Sequence, residues 1–182
     1  TLTEEERAHV ERLAPGRIED VWPLAPLQEG LFFHSTYDDG ILDVYTVHES
    51  FDVAERVDTA RLTAATRTLL ARNPSLRAGF TSEGLRQPVQ FIVRDAEIPL
   101  TEVDLSALDP AAQDTRLREL MDEERSRRFD LTSPLLFRML LVRLGDGRGD
   151  RLVIGRHLIL WDGWSAWLFL DELFALYENG AT

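Results

Sequence analysis

Residues 137–165 read FRMLLVRLGDGRGDRLVIGRHLILWDGWS: two apolar runs, FRMLLVRL and RLVIGRHL, joined by Gly145-Asp-Gly-Arg-Gly-Asp150. Short runs rich in Leu, Val and Ile, flanking a glycine-rich connection, predict a β-hairpin. The spaced glycines do not make a phosphate cradle, because a strand follows them and no helix N-terminus is there to meet an anion. The embedded Arg148-Gly149-Asp150 reads as part of a solvated hairpin loop. At the end of the second strand, His157, Asp162 and Gly163 stand just ahead of a helix carrying Trp164, Trp167, Leu168, Phe169, Leu173, Phe174 and Tyr177, closed by Asn179-Gly180. Polar groups at a strand end facing a helix start are a common place for chemistry. On the bare residues a plainer reading stays open, in which Asp162 or Ser165 caps the helix and His157 is a satisfied core histidine.

Outward from the hairpin, helices and strands interleave. Thr3 and Glu6 form a capping-box start for a short polar helix that Pro15 and Gly16 end. Leu24, Leu27 and Leu31, then His34 or Ser35, fall on one stripe and predict a helix from about Pro26 to Thr36. VYTVHESFDV alternates as a strand, and Asp58 caps a helix with Leu62, Ala65, Leu69 and Leu70 on its apolar face, stopped at Asn73-Pro74. Short strands are expected at Leu76–Phe80 and Val89–Val93. Pro110 opens a charged helix to about Arg128, with Leu117, Leu120 and Met121 inward. These elements predict an α/β fold, a mixed-sheet sandwich.

Composition narrows the function. The 182 residues carry a net charge of −12, and every basic residue is arginine. An acidic surface repels nucleic-acid backbones and anionic membranes, so neither is an expected partner. Without cysteine or lysine there is no disulfide, thiolate zinc site, cysteine nucleophile or Schiff-base lysine. The four histidines, His9, His34, His48 and His157, lack metal-ligand spacing, and no Gly-x-Ser-x-Gly surrounds Ser35, Ser75 or Ser165. No metal and no bound cofactor are expected. The chain starts without methionine and shows no signal-peptide pattern. Its most apolar region, Leu152 to Leu176, is interrupted by Arg156, Asp162 and Asp171. The expectation is a cytoplasmic piece of a longer protein.

Gly155-Arg-His-Leu-Ile-Leu-Trp-Asp-Gly-Trp-Ser165 resembles the His-His-x-x-x-Asp-Gly signature of nonribosomal peptide synthetase condensation domains. Three further segments resemble that family in the same order. Val21-Trp-Pro-Leu-Ala-Pro-Leu-Gln-Glu-Gly-Leu-Phe-Phe-His-Ser35 is similar to its first helix, in the form seen in D-donor-type and dual epimerisation/condensation members. Arg72-Asn-Pro-Ser-Leu-Arg-Ala-Gly-Phe80 resembles Arg-His-x-x-Leu-Arg-Thr-x-Phe. Phe129-Asp-Leu-Thr-Ser-Pro-Leu-Leu-Phe-Arg138 resembles the family's Phe-Asp-Leu and Pro-Leu-x-Arg lead-in. The resemblance implies a chloramphenicol-acetyltransferase-like pseudodimer with the reaction between its two lobes. Residues 1–182 would be the N-terminal lobe, with an opening helix over 1–16 and the lobe core over 20–182, the C-terminal lobe being absent.

It also implies peptide-bond formation between donor and acceptor thioesters on peptidyl carrier proteins, as in antibiotic or siderophore biosynthesis. The phosphopantetheine arms belong to the carriers, the domain binds no cofactor, and adjacent synthetase domains are its other partners. The family's second signature histidine orients or deprotonates the amine, and its aspartate is chiefly structural. Ungapped alignment places His157 at the first histidine, Leu158 at the second, and Asp162 and Gly163 at the end of the signature. Leucine offers no proton acceptor. Three functions therefore remain open: a condensation lobe disabled at Leu158, a non-catalytic relative that recruits a tailoring enzyme or carrier protein, and a free-standing acyltransferase using His157. Arg77, Trp164, Ser165 and His34 are the structural or tunnel-lining candidates, Arg77 as a buried ion-pair partner.

Overall fold

The first helix, α1 (Glu4–Leu13), starts as its cap predicts. Thr3 Oγ1 accepts from the Glu6 N–H at 3.1 Å, and the Glu6 carboxylate accepts from the Thr3 N–H at 2.8 Å. The structure is a computed structural model that describes residues 2–37, 45–145, 147–161 and 166–180. After α1 come β1 (Ile18–Pro23), α2 (Pro26–Tyr37), β2 (Thr46–Val53), α3 (Thr59–Arg72), β3 (Ala78–Thr81) and β4 (Val89–Val93). Then follow β5 (Leu100–Asp104), α4 (Pro110–Ser126), β6 (Phe137–Gly145), β7 (Gly149–His157) and α5 (Ala166–Asn179). The strands form a three-stranded antiparallel sheet, β1-β4-β3, and a four-stranded mixed sheet, β2-β7-β6-β5, in which only β5 and β6 run parallel. A parallel pair needs a crossover, and α4 supplies it.

The mixed sheet is covered on both faces, which explains why the middle of β6, Met139 to Val142, is apolar at successive positions. Successive side chains of β6 feed different cores. Met139 and Leu141 join a large cluster with Leu62, Leu69, Phe169 and Leu173 of α3 and α5. Leu140, Val142 and Leu144 pack with Leu117 and Leu120 of α4. The predicted hairpin is β6–β7, pairing from Phe137↔Arg156 to Gly145↔Gly149. Gly149 has φ +68°, and a Cβ there would run into the Val53 carbonyl, so this tight return accepts only glycine.

Several boundaries differ from the sequence reading. Leu76 and Arg77 lie in a 3-10 turn, Pro74–Arg77, and the strand begins only at Ala78. Pro74 lacks an N–H and has a helix-compatible φ, so it opens a further tight turn before the chain extends. Leu158, the end of the apolar run RLVIGRHL, does not extend the last strand but begins a second 3-10 turn, Leu158–Trp161. Strands β1 and β5 have no counterpart in the sequence reading, since IEDVWP and LTEVD are short and partly acidic. Leu27, placed inward by its spacing, is 61 % exposed. The inward stripe of α2 is Gln28, Leu31, Phe32 and Ser35, because Gln28 has buried hydrogen-bond partners that hold the helix in that rotation.

Candidate active site at the end of the last strand

The end of β7 is fixed from three sides. The His157 N–H donates to the Leu136 carbonyl at 3.0 Å, and the Leu158 N–H donates to the Tyr45 carbonyl at 2.8 Å. Helix α2 packs on the 3-10 turn that follows, where Gln28 Nε2 donates to the Ile159 carbonyl at 3.2 Å. Gln28 Oε1 accepts from the Ala25 N–H and from Gln90 Nε2, so this one amide joins the start of α2, β4 and the turn after His157.

His157 is completely buried. Its Nδ1 accepts from the Ile159 N–H at 3.1 Å, which leaves that nitrogen without a proton. The neutral ring therefore carries its proton on Nε2, which lies 3.4 Å from Ser35 Oγ and donates to it. Aromatic rings complete the enclosure: Tyr45 at 6.5 Å and Phe129, edge-on, at 6.3 Å between centroids. The Arg138 guanidinium covers Phe129 at 3.9 Å from its centroid and pairs with Glu124 at 2.8 Å. His48 approaches the same Glu124 oxygen at 3.5 Å. Burial pushes the Glu124 carboxyl up, but the neighbouring His48 and the hydrogen bond from Arg138 outweigh it and hold the pKa below the ordinary glutamate value.

Next to this histidine, Leu158 presents a partly buried hydrocarbon packed on the main core. The site thus has an imidazole whose two nitrogens are occupied inside the protein, followed by a side chain with no lone pair. Nothing at these two positions can take a proton from an incoming nucleophile.

The other expected residues scatter. His34 is exposed on α2, its ring 5.7 Å from Phe33 and 6.5 Å from Tyr45. Arg77 is a buried ion-pair partner, far in sequence from the motif: it bonds Glu19 at 2.7 Å and the carbonyls of Leu70 and Val93. Asp162, Gly163, Trp164 and Ser165 lie outside the described residues. Sequence reasoning gives Ser35, Gln28, Tyr45 and Phe129 no role at the motif, yet the structure brings all four to it. The spacing of Gln28 and Ser35, seven residues apart on one helix, is the signal for a polar inward stripe. Among the described residues no group of His, Asp or Glu could hold a metal ion, and no helix is long and apolar enough to cross a membrane.

The family model of the condensation domain matches residues 18–182. The chain belongs to the condensation domain family. It is 33% identical over 162 residues to bacitracin synthase 3 of Bacillus licheniformis, covering 89% of this chain and 2% of that protein. It is 34% identical over 171 residues to the AMB antimetabolite synthetase AmbE of Pseudomonas aeruginosa, covering 91% and 8%. The chain thus spans a small fraction of the synthetases it matches. Among solved structures, the starter condensation domain of rhizomide synthetase RzmA superposes with a TM-score of 0.71 at 20% identity, over 90% of this chain and 41% of that one. The α/β mixed-sheet architecture is the fold of a condensation domain, the chloramphenicol-acetyltransferase-like sandwich.

Proposed function

We propose that the chain is the N-terminal lobe of a nonribosomal peptide synthetase condensation domain whose copy of the signature no longer supports bond formation. The reading is supported by the ordered match of the family over residues 18–182 and by the 41% of a solved condensation domain that this chain covers. In the intact domain a second lobe would face this one, with the reaction between them. Donor and acceptor would arrive as thioesters on the phosphopantetheine arms of peptidyl carrier proteins, with adjacent synthetase domains as neighbours in the cytoplasm and no cofactor held by the lobe.

The chemistry sets a simple requirement. The acceptor amine attacks the donor carbonyl, a C–N bond forms, the C–S bond breaks and the donor thiol leaves. The amine must be oriented, must shed a proton, and the carbonyl oxygen must be stabilised as charge develops on it. The observation that carries the reading is Leu158 beside a sealed His157. The same geometry disfavours a free-standing acyltransferase using His157, since that ring is buried and directs Nε2–H toward Ser35. It leaves room for a second reading, a module that binds a carrier protein or recruits a tailoring enzyme without forming a bond, because loss of the base need not disturb a docking surface.

The test is single-turnover peptide-bond formation by the complete two-lobed domain with carrier-bound donor and acceptor, using the natural sequence and Leu158→His. Product with histidine and none with leucine is the expected result. Inertness of both, with carrier binding retained, would favour the recruiting module.

A further inference from the structure

Gln28 is the third residue of α2, and its side chain closes the start of its own helix while reaching two other parts of the fold. Its Oε1 accepts from the Ala25 N–H at 3.0 Å, the return half of a capping box in which alanine holds the cap position. The same oxygen accepts from Gln90 Nε2 at 3.1 Å, and Gln90, on β4 of the three-stranded sheet, also donates to the Pro23 carbonyl at 3.0 Å. On its other side Gln28 Nε2 donates to the Ile159 carbonyl at 3.2 Å. Gln28 and Gln90 are 7% and 8% exposed, and Ile159 is fully buried.

These partners leave neither amide a choice of orientation. The Pro23 and Ile159 carbonyls only accept, so each faces an amide nitrogen, and the Ala25 N–H only donates, so it faces the Gln28 oxygen. The relay ends on the signature. The Ile159 N–H donates to His157 Nδ1 at 3.1 Å, and the Leu158 N–H donates to the Tyr45 carbonyl at 2.8 Å. Position 158 is therefore held through its own N–H and through both backbone groups of the residue after it. A 3-10 turn has poorer internal hydrogen-bond geometry than an α-helix, so the turn Leu158–Trp161 takes its exact placement from these outside contacts.

We propose that Gln28 is a positioning residue for the signature. By holding Ile159 it fixes the backbone from which side chain 158 projects and the orientation of the His157 ring, and Gln90 refers both to the three-stranded sheet. Its weight in bond formation rests on the proposed function, in which position 158 is where the family carries its base. A displacement of about 1 Å in a reacting group can cost on the order of 10²-fold in rate.

Gln28→Glu separates positioning from packing and capping. The carboxylate keeps the size of the amide and both acceptor contacts, but sets an oxygen against the Ile159 carbonyl where a donor stood. Two donors and the helix N-terminus keep it ionised. The test is amide hydrogen exchange in the complete two-lobed domain labelled with 15N-isoleucine, with the Ile159 and Ile154 resonances assigned by their loss in Ile159→Val and Ile154→Val. Ile154 is fully buried in the middle of β7, so global destabilisation speeds both amides, whereas local release speeds Ile159 alone. Gln28→Glu should raise the Ile159-to-Ile154 rate ratio at least ~10-fold, and Gln90→Leu, which leaves the Ala25 N–H to orient the Gln28 amide, should raise it less. An unchanged ratio in folded Gln28→Glu overturns the proposal. If that variant does not fold, Gln90→Leu decides, and an unchanged ratio there overturns it. In the Leu158→His domain, Gln28→Glu should lower kcat for bond formation about 10- to 100-fold with KM little changed, and an unchanged kcat also overturns it. A Leu158→His domain that makes no product counts against the proposed function, while the exchange ratio still decides the role of Gln28.

Discussion

The two ends of β7 are built on opposite terms. At its start, Asp150 is saturated: its Oδ2 takes Arg143 Nη1 and the Val57 N–H, and Arg143 goes on to Glu102, Thr59 and the Val57 carbonyl. Both charges are buried, with side chains 3% and 4% exposed. At its end, His157 has a longer contact to Ser35, Leu158 offers nothing polar, and the polar atoms of Arg156 and Trp161 are incompletely met. One end is a closed ionic knot that joins β5, β6 and β7 to the start of α3 and to Val57 ahead of it. At the other the polar groups are only partly matched. A strand can thus be anchored where its charges are fully matched and specialised where they are not.

The knot should dominate stability. Asp150→Ala leaves Arg143 buried with one carboxylate fewer and strips the Val57 N–H of its acceptor, so urea unfolding should show a loss of about 3–5 kcal/mol. A loss below about 1 kcal/mol, the range of exposed pairs, would mean that the two ends do not differ as described.

At the other end, Glu124→Gln should cost about 1–3 kcal/mol at neutral pH by weakening the hold on Arg138 and, through it, on Phe129 against His157. The Glu124 pKa is lowered on folding, so its contribution is complete above the ordinary value of 4.5 and fades as pH falls through the folded value. The gap between variant and natural chain should accordingly narrow below about pH 4.5, and a gap that widens there would reverse the assignment. Smallest is Ser35→Ala, at about 0.5–1.5 kcal/mol, with the His157 ring staying in its Nε2–H form because Ile159 still donates to Nδ1. Imidazole 15N chemical shifts report that form directly.

Much of this arrangement is legible in the sequence, and for physical reasons. The hairpin declares itself through the turn glycines and two apolar runs, α4 through its proline start, and α1 through a capping box the structure reproduces atom for atom. Strand β5 stays hidden because LTEVD is an edge strand half turned to solvent, with no continuous apolar run to betray it. The rotation of α2 escapes for a related reason. Leucine spacing points Leu27 inward, whereas Gln28 and Ser35 take that side, drawn by partners 131 and 122 residues away in sequence. Hydrophobic periodicity cannot register a stripe whose inward residues are polar. The motif itself is plain, and so is its departure at Leu158. What no sequence pattern conveys is that His157 is sealed: its tautomer follows from one backbone N–H two residues on, a contact created when the strand gives way to a 3-10 turn at Leu158.

The most direct test of the central claim is kcat for peptide-bond formation by the complete domain with Leu158, Leu158→His and Leu158→Gln side by side. Glutamine restores hydrogen bonding without a base of suitable pKa, so the account predicts a rise of about 10²–10⁴-fold for histidine and little for glutamine. Bond formation by the natural Leu158 domain at the rate of the histidine variant would contradict it.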